Sequence, residues 1–326
     1  MTAEHLDVDV ILPTYNGVEW MGEAIESVLR QSYPHWRMVI VDDASSDDTV
    51  QLARSLCEQH PEKLSLITHT DNRRAAARRM EAIAGCSAPL IAFLDQDDRW
   101  MPDKLARQVE RVQAQPTVHA VHTDVTHMDP FGRPLPSTAE GENAERATVG
   151  YDTLDPRTVC RKLFQRNTIR LVSAMVKRDA FLDVGGFNDT LFGGEDWEFW
   201  VRFSSRKRIG HIPKPLVERR IHPTNTSMRY RLQRTYGLLE ALRLVEEGHP
   251  FLEDLARIRR SELLGRLVIA ALDERDFPAA RRGAWQLLGH EALTRHSIVH
   301  AGLAGLGPAG RGAVRSVRQL RKIARG

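Results

Sequence analysis

A chain of 326 residues can bury one large α/β core with an appendage, or two ordinary domains. With 42% hydrophobic and 27% charged residues and no apolar stretch long enough to span a bilayer, its composition excludes a membrane span and a disordered tract as its main content. The formal charge of +3 hides a gradient, because Ala301 to Gly326 carries six basic residues and no acidic one, and Cys57, Cys86 and Cys160 lack the paired spacing of a disulfide framework or a metal knuckle.

Residues Met1 to Asp9 carry three acidic residues and no apolar secretory segment, so the expected address is cytoplasmic. Val8 to Leu12 is an apolar run that reads as a buried strand, and it ends in Pro13-Thr14-Tyr15-Asn16-Gly17. A helix is expected over Val18 to Gln31 and a second strand over Trp36 to Val41. That strand stops at Asp42-Asp43-Ala44-Ser45-Ser46-Asp47-Asp48, which offers caps to a helix running to about Gln59. Leu64 to Thr68 predicts a third strand, Arg73 to Ala84 a helix, and Pro89 to Leu94 a fourth strand that ends at Asp95-Gln96-Asp97-Asp98. Pro102 suits the first turn of a further helix to about Ala114. Strands alternating with helices of this length imply a mostly parallel, doubly covered sheet, which binds ligands beyond the carboxyl ends of its strands. Three polar clusters fall at those ends.

From Pro130 to Gly150 the chain is rich in Pro, Gly, Glu and Thr and predicts a surface excursion. Structure resumes near Asp155. Ile169 to Val176 predicts another strand, followed by Gly185-Gly186-Phe187, then Gly193-Gly194-Glu195-Asp196-Trp197 and a helix to about Ser204. Beyond Thr226 the expected helices are Arg231 to Glu247, Leu252 to Leu272 and Pro278 to Leu288. The domain reading is therefore 1–226 for the α/β domain and 227–326 for a helical region with a basic tail.

Cleaving a sugar from a diphosphate requires a cation beside the departing oxygens, and hard carboxylate ligands suit Mg²⁺ or Mn²⁺. Asp95, Asp97 and Asp98, directly after an apolar strand, have the right type and place; a solvated acidic turn is the competing reading. ILPTYN (Ile11 to Asn16), VDDASSDDT (Val41 to Thr49), FLDQDDRWMPDKL (Phe93 to Leu105) and GGFNDTLFGGEDWEFWVR (Gly185 to Arg202) together resemble the inverting family 2 glycosyltransferases of the GT-A fold, over about residues 8 to 225.

That resemblance implies a GT-A-like (Rossmann-like) mixed, mostly parallel sheet, and a nonprocessive enzyme, since no Gln-Xaa-Xaa-Arg-Trp motif or transmembrane helix accompanies it. It implies that Pro13, Thr14 and Tyr15 line a nucleotide pocket with Gln96 and Asp95, and that Asp43, rather than Asp42, accepts from the imide N–H of uracil or thymine. The family's Asn-Xaa-Gly and Ala-Arg-Asn read here as Asn72-Arg73-Arg74 and Ala77-Arg78-Arg79-Met80. Arg79 is the phosphate-side candidate, with Arg78 its rival and solvated helix arginines the alternative. Metal ligation falls to Asp97, Asp98 and Asp95, with His222 completing the shell or remaining an ordinary loop histidine. Asp196 matches the catalytic base, Glu195 would position it or bind acceptor hydroxyls, and helix capping is the competing role for the pair. Trp197 is the acceptor platform and Trp200 a core residue.

The expected partners are a UDP- or dTDP-sugar donor and a glycan or lipid-linked acceptor, with no nucleic acid; homo-oligomerisation stays open. As a helix, 309–325 would oppose an apolar face to an arginine face, which suits reversible contact with the inner face of a membrane or packing on the appendage. The competing classes are a noncatalytic carbohydrate-binding protein of the same fold and a nucleotidyltransferase, whose Gly-rich phosphate loop is missing after the first strand.

Overall fold

The structure is a computed structural model that describes residues 5–136, 151–225 and 229–288. The basic segment 309–325 and most of the 130–150 excursion lie outside these residues. The chain divides into two compact units, the first comprising residues 1–190 and 199–222, the second residues 191–198 and 223–326.

The first unit is built on an eight-stranded sheet in the order β3-β2-β1-β4-β7-β6-β8-β5. Its parallel half consists of β1 (Val8–Thr14), β2 (Trp36–Asp42), β3 (Leu64–Thr68) and β4 (Leu90–Phe93), interleaved with helices α1 (Met21–Leu29), α2 (Thr49–Gln59) and α3 (Arg74–Gly85). Every residue of β1 is buried. The alternation explains why: Val8, Val10 and Leu12 pack with Met21, Ile25 and Val28 of α1, whereas Ile11 joins Ala82 and Ile83 of α3 in a second core. A strand covered on both faces reads as a nearly continuous apolar run, interrupted here by Asp9, whose carboxylate accepts from Ser87 N and Ala88 N.

The other half is mixed. The two-residue β5 (Arg99–Trp100) precedes α4 (Lys104–Ala114), and β6 (Ala120–Met128) pairs in parallel with β8 (Ile209–Arg220). Between them in sequence lie α5 (Pro156–Gln165), β7 (Met175–Lys177), α6 (Arg178–Asp183) and α7 (Glu195–Ser204). The expected strand from Ile169 to Val176 is shorter: Leu171–Ser173 forms a 3₁₀ turn, and β7 alone pairs, antiparallel to β4 and β6. β8 contains Pro213 and Pro215, and the ladder with β6 breaks register beside them, between Thr123 and Val125. Proline is tolerated in a strand at such an irregularity. Past the break, β8 carries Arg220 and then His222 toward the turn that follows β4.

The second unit packs α8 (Arg231–Gly248), α9 (Glu253–Asp273) and α10 (Phe277–Leu288) around Leu264, Leu267, Val268, Ala271, Ala280 and Leu287. Arg275, at φ +63°, turns the chain between α9 and α10, and the Asp276 carboxylate accepts from Ala279 N–H at the start of α10. No helix among the described residues is long and apolar enough to cross a membrane.

Candidate functional site

The three polar clusters at the carboxyl ends of β1, β2 and β4 lock into one another. Gln96 joins the first to the third: its Oε1 accepts from Thr14 Oγ1 at 2.7 Å and Tyr15 N at 2.8 Å, and its Nε2 donates to Tyr15 O at 3.1 Å. Ser45 Oγ accepts from Asn16 N at 2.9 Å, Asn16 Oδ1 accepts from Ser46 N at 2.8 Å, and Thr49 Oγ1 accepts from Gly17 N at 2.8 Å, which fastens the first loop to the second. Pro13 and Thr14 end β1 inside the sheet, whereas Tyr15 stands exposed beyond it. Asn16, Ala44 and Arg74 all adopt positive φ (47°, 66° and 71°), so non-glycine strain collects at this edge.

Asp43 is buried and organises the start of α3. Its Oδ1 accepts from Arg73 N at 2.8 Å and Arg78 Nε at 2.7 Å, and its Oδ2 from Arg74 N at 2.7 Å. A carboxylate offers about four lone-pair sites, so room for one more donor remains on Oδ2. Neighbouring Asp42 accepts from Ser45 N through Oδ2, and its buried Oδ1 has no hydrogen-bond partner among the described residues. Arg78 and Arg79 are both buried, so neither is a solvated helix arginine. Arg78 binds Asp43, Asp71 and Glu81; Arg79 binds Asp95 through Nη2, and its buried Nε has no hydrogen-bond partner among the described residues. Two consecutive residues of α3 therefore connect the β2 loop to the β4 loop. The replacement of the family's Asn by Met80 has a packing consequence: Met80 Sδ accepts from Phe187 N at 3.2 Å.

The acidic loop divides into different environments. Asp98 is turned inward, where its Oδ1 accepts from Arg220 N at 2.9 Å. Burial, then the adjacent carboxylates of Asp97 and Asp95, push its carboxyl well above the usual range, against the Arg220 N–H. Asp97 Oδ2 lies 2.8 Å from His222 Nε2. Trp20 packs against that imidazole with ring centroids 4.2 Å apart, which fixes its plane. Arg220 supports the whole loop: Nε donates to Asp97 O at 3.0 Å and Nη2 to Glu23 at 2.8 Å.

Among the described residues no three His, Cys, Asp or Glu side chains converge as a metal cage. Mg²⁺ and Mn²⁺ sites beside phosphates commonly use one or two protein ligands and leave the rest to water and substrate, so a carboxylate and an imidazole held together at Asp97 and His222 fit such an ion. Asp95, against Arg79, and Asp98, against Arg220, face other partners here. Trp20, Glu23, Arg99 and Arg220 were not flagged by the sequence; Trp20 immediately precedes α1, and the others lie on α1, β5 and β8, far apart along the chain, so no local pattern links them.

Glu195, Asp196 and Trp197 belong to the second unit, at the first turn of α7, which continues into the first unit from Phe199. Asp196 Oδ1 accepts from Trp197 N at 2.7 Å. Gly193 and Gly194, at φ +83° and +90°, aim this turn, and a Cβ at Gly194 would meet Leu238 Cδ2 at 2.9 Å. Trp197 requires a correction. It is 2% exposed, with the Arg259 guanidinium over its ring at 5.5 Å, so it has no free face for a sugar. Trp200 lies in the core against Phe199 and Phe203.

The family described as "Glycosyl transferase family 2" matches residues 9–173. The chain is 40% identical over 103 residues to a putative teichuronic acid biosynthesis glycosyltransferase, TuaG, of Bacillus subtilis (strain 168), covering 32% of this chain and 40% of that protein. It is 36% identical over 102 residues to the UDP-Glc:alpha-D-GlcNAc-diphosphoundecaprenol beta-1,3-glucosyltransferase WfgD of Escherichia coli, covering 31% of this chain and 39% of that one. The chain thus matches well under two thirds of either relative. Among solved structures, the mannosyltransferase PcManGT from Pyrobaculum calidifontis, in complex with GDP-Man and Mn2+, superposes with a TM-score of 0.60 at 20% identity, over 93% of this chain and 81% of that one. That likeness establishes the GT-A-type mixed α/β fold.

Proposed function

Because the chain belongs to glycosyl transferase family 2, we propose that it moves one sugar at a time from a UDP- or dTDP-sugar to a hydroxyl of a glycan or lipid-linked saccharide, with inversion at the anomeric carbon and with Mn²⁺ or Mg²⁺. The observation that carries this reading is the interlocking of the β1, β2 and β4 loops around Asp43, Arg79 and Asp97, which joins a base-reading carboxylate, a spare buried donor and a candidate metal ligand on one sheet edge.

In this scheme the β1 loop, Pro13 to Tyr15, forms one wall of the nucleotide pocket and Gln96 holds that wall in place. Asp43 takes the imide N–H of the pyrimidine through its remaining lone pair. Arg79 Nε, unpartnered among the described residues, donates to a phosphate oxygen, and Asp95 keeps the guanidinium oriented for it. Asp97 and His222 would hold the cation, which neutralises charge on the diphosphate as it departs. Asp196 removes the proton from the acceptor hydroxyl as that oxygen attacks, with Glu195 placing it or contacting acceptor hydroxyls. The Escherichia coli relative is named for a UDP-glucose donor and a diphosphoundecaprenol-linked acceptor, which supports the UDP and lipid-linked parts of the reading. A cytoplasmic location at the inner membrane face, with contact through 309–325, belongs to the same proposal.

Calorimetry with UDP tests it. Mn²⁺ should strengthen UDP binding, and Asp97→Ala should abolish that strengthening while leaving a metal-independent component. Transfer from labelled UDP-glucose, UDP-N-acetylglucosamine, dTDP-rhamnose or dTDP-glucose to short saccharide acceptors should then be measured. Binding of GDP-mannose with none of UDP or dTDP would overturn the assignment of Asp43.

A further inference from the structure

The turn that follows β6 is built more rigidly than its exposure requires. Asp129 Oδ1 accepts from Phe131 N and Arg133 N, each at 2.9 Å, Gly132 N donates to Asp129 O at 3.0 Å, and Asp129 N donates to Arg133 O at 2.9 Å. Gly132 closes the turn at φ +78°. Three side chains then tie it down: Pro130 O accepts from Arg220 Nη1 at 2.8 Å and from Trp20 Nε1 at 3.3 Å, and Gly132 O accepts from Arg99 Nη2 at 3.1 Å. Two of these anchors belong to the candidate donor site, since Arg220 also holds Asp97 O and Trp20 packs on His222. At the tip of this fixed turn, Phe131 is 80% exposed.

A lone exposed phenylalanine needs no explanation by itself. Here the turn that carries the ring is tied to the acidic loop through Arg220, which holds both Pro130 O and Asp97 O, and the turn has little conformational freedom left to lose when a ligand binds. Its surroundings are polar on one side: the Arg133 guanidinium lies 5.2 Å from the ring centroid and the half-exposed Glu23 carboxylate sits between Arg99 and Arg220. An apolar face flanked by charged donors and acceptors matches a pyranose, whose C–H face packs on an aromatic ring while its hydroxyls take hydrogen bonds. Trp197, buried under Arg259, is not available for this.

Resting on the reading of the chain as a sugar transferase, we propose that Phe131 is the stacking platform for a pyranose ring of the acceptor, with Arg133 and Glu23 addressing its hydroxyls. Saturation-transfer NMR with hexyl β-D-glucopyranoside and hexyl N-acetyl-β-D-glucosaminide, and with 1-hexanol as the apolar control, tests this on the full chain. Transfer to the sugar ring protons is expected, weakened about three- to ten-fold in apparent affinity by Phe131→Ala, given that an aromatic contact contributes roughly 0.5–1.5 kcal/mol, and restored by Phe131→Trp. Equal affinity in Phe131→Ala, transfer confined to the hexyl chain with 1-hexanol binding alike, or no transfer to the parent protein each overturns it. Calorimetry with UDP and Mn²⁺ on the same variants separates this from the donor reading. Unchanged UDP affinity in Phe131→Ala is expected, and a parallel loss assigns the turn to the donor instead. Failure of the parent to bind UDP defeats the transferase reading, while the ring-proton signal still judges Phe131.

Discussion

Gly17→Ala probes the lock between the β1 and β4 loops. A Cβ at this position would stand 2.4 Å from Gln96 Oε1, 2.7 Å from its Cδ and 2.8 Å from Thr14 Oγ1, so the Gln96 amide must move. Gly17 is not among the residues with positive φ, so its backbone accepts alanine and the cost falls on that side chain. Displacing it breaks three hydrogen bonds, to the Thr14 hydroxyl and to both backbone groups of Tyr15. At about 0.5–1.5 kcal/mol net each, the ceiling is roughly 4.5 kcal/mol. Tyr15 is exposed and its backbone can turn to water, and alanine narrows the unfolded ensemble by about 0.4–1 kcal/mol, which together leave about 1–2 kcal/mol of destabilisation. The decisive measurement is a double-mutant cycle by urea denaturation. In a Gln96→Ala background the main obstruction is gone and the Thr14 hydroxyl can rotate, so Gly17→Ala should stabilise by about 0.4–1 kcal/mol and the coupling should be about 1.5–3 kcal/mol. UDP affinity should fall in each single variant and fall no further in the double. Additive stabilities would refute the reasoning, because the added methyl would then act through something other than Gln96.

Three further outcomes are expected. Asp196→Asn should lower turnover by about 100-fold or more with UDP affinity nearly unchanged, as removal of a general base does; steady-state transfer rates beside calorimetry check it, and full turnover would remove Asp196 from the role. Arg74→Gly should be more stable than Arg74→Ala by about 0.5–1 kcal/mol, because a left-handed backbone costs an L-residue roughly 1–2 kcal/mol and the Asp43 contact at residue 74 is made by its N–H, which both variants keep; a lower urea midpoint for the glycine variant would contradict this. Burial, and then His211 stacked at 4.7 Å, hold His122 down at about 3 from an ordinary 6.5. The unfolded chain therefore takes up a proton below pH 6.5 that the folded one refuses. Stability from this group is complete above pH 6.5 and declines as pH falls toward 3, by up to about 4–5 kcal/mol at 1.36 kcal/mol per pH unit. His122→Leu should flatten that acid limb of the stability curve, and an unchanged limb would place the titration elsewhere.

Which parts of the site could be read in the sequence follows from how each residue acquires its role. β1, β2 and β4 announced themselves because strands buried on both faces are mostly apolar, with Asp9 in β1 and Arg37 in β2 as interruptions, and their polar ends followed directly. β6 and β8 did not: His122 and Thr123 are buried in one and His211 in the other, with prolines beside the register break, so neither shows an apolar run or a clean alternation. Part of that polar burial is offset by a cross-strand partner that exists only after pairing, as Asp124 is for His211. The strand expected over Ile169 to Val176 failed for the opposite reason. Hydrophobicity there reports burial, and a 3₁₀ turn satisfies burial as well as a strand does. Arg74 was visible as a departure from the family's glycine, but only the backbone shows that the left-handed turn persists and that Asp43 is what holds it. Trp197 could have been placed correctly from spacing: it lies one turn before Trp200 on the same face of α7, so a reading that buries one should bury both. Phe131 carried no signal, because an aromatic in a Pro- and Gly-rich stretch becomes distinctive only through Arg220, Trp20 and Arg99, residues 89, 111 and 32 positions away that converge on its turn after the sheet has formed.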